Sequence, residues 1–140
     1  MEFRALTQAD LEYVQEHSTC PDNHKKPIQE TGWSVALVHE DKTLVIGGVE
    51  LLSPTTGWAW FEMSRDAIEH IVTVYRTIKD WLAICCKEQG IRRLMCAVEV
   101  GFEEAERTVE HLGYHVESRM PKYKDDRPAD LWVKFFGDSE

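Results

Sequence analysis

The sequence predicts a mixed α/β architecture of the α+β kind: a central mixed, mostly antiparallel sheet of about six to seven strands flanked by helices. Three observations predict it. Three β-rich runs, "WSVALVH", "TLVIGGVELL" and "WAWFEMS", follow one another across short turns, which reads as consecutive antiparallel strands. Apolar residues then recur every three or four positions from Ile68 to Cys86, the period of a long amphipathic helix. Beyond it, strand-like and helical runs alternate, and a helix between two strands implies parallel pairing within the sheet. The 140 residues and 43% hydrophobic content suit one domain, residues 1–140, with a sizeable core.

Taken in order, "FRALTQADLEYVQEH" passes from a short strand into a helix, because Thr7 can cap the first turn while Asp10 sits at the reciprocal capping-box position. Leu11 and Val14 give that helix an inward face. Residues 18–32 are polar and interrupted by Pro21 and Pro27, too broken for a long helix. The first hairpin turns at "EDK", and the Gly47-Gly48 pair in its second strand predicts a bulge or a close backbone approach. "SPTTG" makes the next turn.

In the long helix Ile68, Ile71, Val72, Tyr75, Ile78, Leu82, Cys85 and Cys86 share one face. Asp66 with Glu69 forms a capping-box signature at its start, and Gly90 suits its end. "IRRLMCAVEV" reads as a buried strand and "FEEAERTVEHL" as a helix stopped by Gly113. "YHVESRM" and "ADLWVKFF" make a terminal hairpin around "PKYKDDRP".

Charge and composition exclude several function classes. A formal net charge of −9, with basic pairs only at Lys25-Lys26 and Arg92-Arg93, argues against nucleic-acid binding. No apolar run is long enough for a membrane span and the N-terminus lacks a signal-peptide pattern, so a cytoplasmic location is expected. Of four cysteines, Cys85 and Cys86 are adjacent in a helical pattern, Cys96 lies in a strand-like run and Cys20 stands alone, which points to reduced thiols. The one ligand-like spacing, His17, Cys20 and His24, lacks the paired cysteines of a zinc site, and no metal is expected.

The element order, with "FRALTQADLEYV", "TLVIGGVELL" and "FEEAERTVEHLGYHV", resembles the GNAT (GCN5-related N-acetyltransferase) superfamily over nearly the whole chain. "LVIGG" followed by "WAWFEMS", a long helix and "RTVEHLGY" further resembles the divergent GNAT-like proteins of tailed bacteriophages and prophages, some of them associated with the virion. The resemblance implies a GNAT-like fold, acetyl-CoA as acyl donor, and transfer to a small-molecule or protein amine.

The chemistry requires anion-binding groups for a pyrophosphate, polarisation of a thioester carbonyl, a base for the amine and an acid for the thiolate. The family's pyrophosphate turn lies between the fourth strand and the long helix; here it reads "MSRDAIEH" and contains no glycine. Phe61, Met63 and Ser64, with Arg65 as the cation, are the candidate cofactor-binding residues. Glu62 on the same strand is the candidate catalytic base, on one face with Trp58 and Trp60; Glu50 and Glu99 are secondary candidates. The family's tyrosine acid falls at Val109 and its helix-start asparagine at Phe102, neither of which supplies a proton. His111 and Tyr114 stand nearby at another helical phase.

Two further readings accompany acyl transfer. A non-catalytic GNAT-fold interaction module, in a phage or prophage particle, could present Trp33, Trp58 or Trp132 to a protein partner. An inhibitor could use its acidic surface against a basic protein site.

Overall fold

The alternating strands and their turn residues produce a single sheet. The structure, a computed structural model, describes residues 1–17 and 33–137. Its elements are β1 (Glu2–Ala5), α1 (Gln8–Glu16), β2 (Trp33–His39), β3 (Lys42–Ser53), β4 (Thr56–Met63), α2 (Ile71–Gln89), β5 (Arg93–Glu99), α3 (Glu103–His111), β6 (His115–Lys124) and β7 (Arg127–Phe135). The strands lie in the order β1-β2-β3-β4-β5-β7-β6. β4 and β5 are parallel over Thr56–Trp58, joined by the α2 crossover. The pairs β1–β2, β2–β3, β5–β7 and β6–β7 are antiparallel. The β3–β4 connection is too short for anything but an antiparallel return. The expected mixed, mostly antiparallel sheet flanked by helices is the observed one. The chain packs as two compact units, residues 1–50 with 59–74, and residues 51–58 with 75–140.

In the first unit, α1 begins as its sequence dictates. The Thr7 hydroxyl accepts the Asp10 amide at 3.3 Å, and the Asp10 carboxylate accepts the Thr7 amide at 2.9 Å. That carboxylate does more than cap. It takes both terminal nitrogens of the Arg4 guanidinium at 2.6 and 3.0 Å, the Thr7 hydroxyl at 2.8 Å and the Thr43 hydroxyl at 2.9 Å. One buried group thus joins β1, the start of α1 and β3. Leu11 and Val14 then pack on Ala36 and Ile46, with Leu6, Val38 and Trp60 around them.

The β2–β3 turn places Glu40 and Asp41 at φ of 50° and 64°, the left-handed pair of a tight two-residue hairpin. Of the two features predicted at Gly47-Gly48, the close approach is present. A Cβ at Gly47 would lie 2.8 Å from Phe61 Cδ1 and 2.9 Å from the Trp60 carbonyl. The β2–β3 register shift lies instead between Leu37 and Val38.

In the second unit, Ile78, Leu82, Cys85 and Cys86 are buried along α2, which closes at Gly90 with φ of 72°. The predicted inward face needs one correction nearer the helix start. Ile68 and Val72 are 61% and 64% exposed, and the buried positions there are Ala67 and Val74. Residues 65–70 form a 3-10 turn leading into α2, and Ile68 and Val72 lie about 100° round from the buried Ala67 and half-buried Ile71.

The terminal hairpin also differs. β6 and β7 run further than expected, through much of "PKYKDDRP", and turn at Asp125 and Asp126, both left-handed at φ of 50° and 61°. Pro121 lies within β6, which is tolerated because β6 is an edge strand whose register shifts between Met120 and Lys124. Gly113 ends α3 at φ of 95°, and Lys134 donates to the Leu112 carbonyl at 2.6 Å. Cys85, Cys86 and Cys96 are free and buried; Cys20 lies outside the described residues.

Asp10→Asn is expected to destabilise the fold by about 3 kcal/mol, since it unpairs a buried ion pair. Burial alone would raise the Asp10 pKa, but Arg4, Thr7 and Thr43 outweigh it and hold it at about 2 instead of 3.8. Its stabilisation is therefore complete above about pH 4 and is lost as pH falls toward 2. Urea titrations across that window should show the slope in the native protein and a reduced slope in the variant. Gly47→Ala should cost about 2 kcal/mol in the same assay, because the Trp60 carbonyl cannot swing aside as a side chain would.

Candidate active site

The candidate residues Phe61 to Arg65 lie at the carboxyl end of β4, the middle strand in the sheet order, and in the turn that follows it. Phe61, Glu62 and Met63 are half-buried there, Ser64 is fully buried and Arg65 is exposed. Phe61 lies over Gly47, and Trp60 is held in the α1 core.

Ser64 leaves the strand in extended conformation and turns inward. Its amide donates to the Leu44 carbonyl at 2.9 Å and its hydroxyl to the Thr43 carbonyl at 2.6 Å. The same Thr43 gives its side chain to Asp10, so the turn rests on the Asp10 network. The Arg65 amide donates to the His17 carbonyl at 2.9 Å, and the Ala67 amide to the Ser64 carbonyl at 3.1 Å.

Asp66 corrects the expectation from sequence. The capping position belongs to Ser64, whose side chain makes no capping bond, and Asp66 lies one residue inside the turn. Its carboxylate accepts a short hydrogen bond from the Tyr13 hydroxyl and lies 3.9 Å from Lys42 Nζ. The acceptor that a local capping box would use has been claimed by α1. The Tyr13 ring stacks on His17 at 4.2 Å, so the last turn of α1 meets the β4–α2 turn through two consecutive contacts.

The other candidates are dispersed. Glu50 is exposed; Glu99 is half-buried and lies 3.4 Å from Arg127. Val109 is buried, Phe102 precedes α3, and His111 stacks on Tyr75 at 5.1 Å. Tyr114 is buried, and burial, with Cys96 and Cys86 nearby, pushes its hydroxyl well above the usual range. Trp132 is buried and Trp58 half-buried, so they do not form an exposed apolar patch. Cys20 and His24 lie outside the described residues, and no cluster of three or more metal-ligating side chains occurs among the described ones. No described helix is long and apolar enough to cross a membrane.

No protein-family model matches the sequence, and a search of curated proteins gives no match. Solved structures do match. Ard1 from Thermoplasma volcanium superposes with a TM-score of 0.77 at 15% identity, covering 98% of each chain. The ribosomal-protein-S18-alanine N-acetyltransferase from Escherichia coli gives 0.76 at 14% identity, covering 99% of this chain and 96% of that one. A mutant of the spermidine N-acetyltransferase SpeG from Vibrio cholerae gives 0.73 at 8% identity, covering 96% and 95%. The chain has the GNAT fold.

On the GNAT fold, the β4–α2 turn is where the resemblance implies acetyl-CoA contacts. The residues present do not fit a pyrophosphate in this arrangement: the Ser64, Arg65 and Ala67 amides and the Ser64 hydroxyl all donate to chain carbonyls. A carboxylate also stands in the first turn, where it disfavours a second anion.

Glu62 lies on the fourth strand and Arg65 just beyond it, where the sequence puts them, whereas the contacts that Tyr13, His17 and Lys42 make with this turn were not foreseen. Tyr13 lies 53 positions from Asp66, and no local signal connects them. The Asp66 hydrogen bond, with burial and the carboxylate's charge, pushes the Tyr13 hydroxyl up to about 12. Asp66→Asn is expected to bring it back toward 10, as read from the pH titration of the labelled Tyr13 ring by NMR.

Proposed function

We propose that this chain is a divergent acyl-CoA-dependent N-acyltransferase of the cytoplasm, in which Glu62 receives the proton of an amine acceptor. The observation that carries this reading is Glu62 itself: a half-buried carboxylate near the carboxyl end of the middle strand, three residues from the exposed cation Arg65. A carboxylate beside the acceptor is the kind of group that takes a proton from an ammonium. Arg65 supplies positive charge for an anionic donor, Phe61 and Met63 stand half-buried before it, and Ser64, buried between them and Arg65, seats the turn on β3. The acceptor is a small-molecule or protein amine. The structural neighbours include enzymes named for spermidine and for a ribosomal-protein alanine, which spans both kinds.

A second reading is favoured by Val109 and Phe102, which leave the thiolate acid without a replacement on α3. In that reading the scaffold is a non-catalytic protein-interaction module, in a phage or prophage particle.

Glu62→Gln should lower turnover on acetyl-CoA with a panel of polyamines and N-terminal peptides by about 100-fold, the scale of a lost general base. Its melting temperature should stay within a few degrees of the parent. Equal rates in parent and variant would remove Glu62 from the mechanism, and the absence of turnover in the parent would favour the interaction module.

A further inference from the structure

We propose that His39 and His70 form a two-imidazole site for a divalent transition-metal ion of the zinc and copper class. His39 is the last residue of β2 and His70 closes the 3-10 turn ahead of α2, both within the first compact unit. Their ring centroids lie 4.8 Å apart with planes at 70°. Two imidazoles that share one such ion, with metal–nitrogen bonds of about 2.0–2.1 Å set at roughly 90–110°, have ring centres about 4.5–5.2 Å apart. The observed separation falls within that range. Rotation about χ2 turns a histidine ring on an axis that runs through its centre, so the nitrogens can be aimed at a shared ion while the centres stay in place.

The backbone on both sides is set by contacts that do not involve the imidazoles. His39 pairs with Lys42 across the two-residue hairpin turn. The turn that ends at His70 is held by the buried Ala67, whose amide donates to the Ser64 carbonyl at 3.1 Å, and by the Ser64 hydroxyl on the Thr43 carbonyl. Little ordering is left for an ion to impose. Both histidines are half-buried, sheltered from part of their water yet within reach of a hydrated ion. The surrounding charges suit a cation: Glu40 Oε1 lies 3.9 Å from His39 Nε2, and the Lys42 ammonium lies 3.9 Å from the Asp66 carboxylate. Imidazole selects this class of ion over calcium and magnesium, which take oxygen ligands. Two protein nitrogens leave the remaining positions to water. An ion held there would clip the β2–β3 hairpin to the start of α2.

The test uses the full chain without a histidine tag, stripped of metal by a chelator. Substoichiometric Cu2+ should broaden the imidazole NMR signals of His39 and His70 before those of His17, His111 and His115. Calorimetric titration with Zn2+ should show one ion per chain with a micromolar Kd. His39→Gln and His70→Gln should each weaken that binding by about tenfold or more, since even the loss of a group behind a metal ligand costs about that much. Copper broadening is read on the parent alone, so it decides the matter even where a variant fails to fold. Broadening spread evenly over all the histidines, binding by both variants at the parent's strength, or no binding at submillimolar Zn2+ would each overturn the site.

Discussion

A single buried carboxylate organises the amino-terminal half of this protein. Asp10 could not remain ionised out of water without Arg4, Thr7 and Thr43 around it, and those three residues belong to β1, the cap of α1 and β3. Burying the charge is unfavourable by itself, so its partners must all be in place before the arrangement is stable. The benefit is geometric: one helix, one edge strand and one inner strand are set at a defined register by bonds to two oxygens. The influence extends further through the backbone, because Thr43 also accepts the Ser64 hydroxyl and so seats the turn that follows β4.

At that turn the chain supplies its own acceptors. An oxygen-rich ligand and a backbone carbonyl present the same chemistry to an N–H donor. Here the His17 and Leu44 carbonyls accept from the amides of Arg65 and Ser64. Nothing in the packing of Leu11, Val14, Ile46 or Trp60 depends on which acceptor is used. The turn is thus satisfied by its own chain.

Most of the fold was legible because its signals are local. The Thr7–Asp10 box and the glycines closing α2 and α3 are read within a few residues, and the first hairpin is read from its alternating strands. The misreadings share a cause in distance or phase. Asp66 and Glu69 carry the same local pattern as Thr7 and Asp10, yet Asp66 is claimed by Tyr13 from α1. Ile68 and Val72 fit the helical period but lie to one side of the buried stripe that starts in the 3-10 turn. Pro121 looks like a loop residue until the strand holding it proves to lie at the sheet's edge. At the candidate site, the positions of Glu62 and Arg65 at the end of β4 follow from strand and helix order, whereas the α1 contacts exist only once the chain has folded.

The edge position of β6 bears on how the protein behaves in a crowded solution. A sheet whose outer strand offers an unbroken ladder of donors and acceptors invites another chain to extend it. Here the outer strand carries Pro121, which donates nothing, and a left-handed Lys122 within its register shift, while the opposite edge, β1, is only four residues long. Neither border provides a long, regular template. The sheet can end in water on both sides, and growth by strand addition, the common route from a soluble β-rich domain to a fibre, has no straight edge on which to begin.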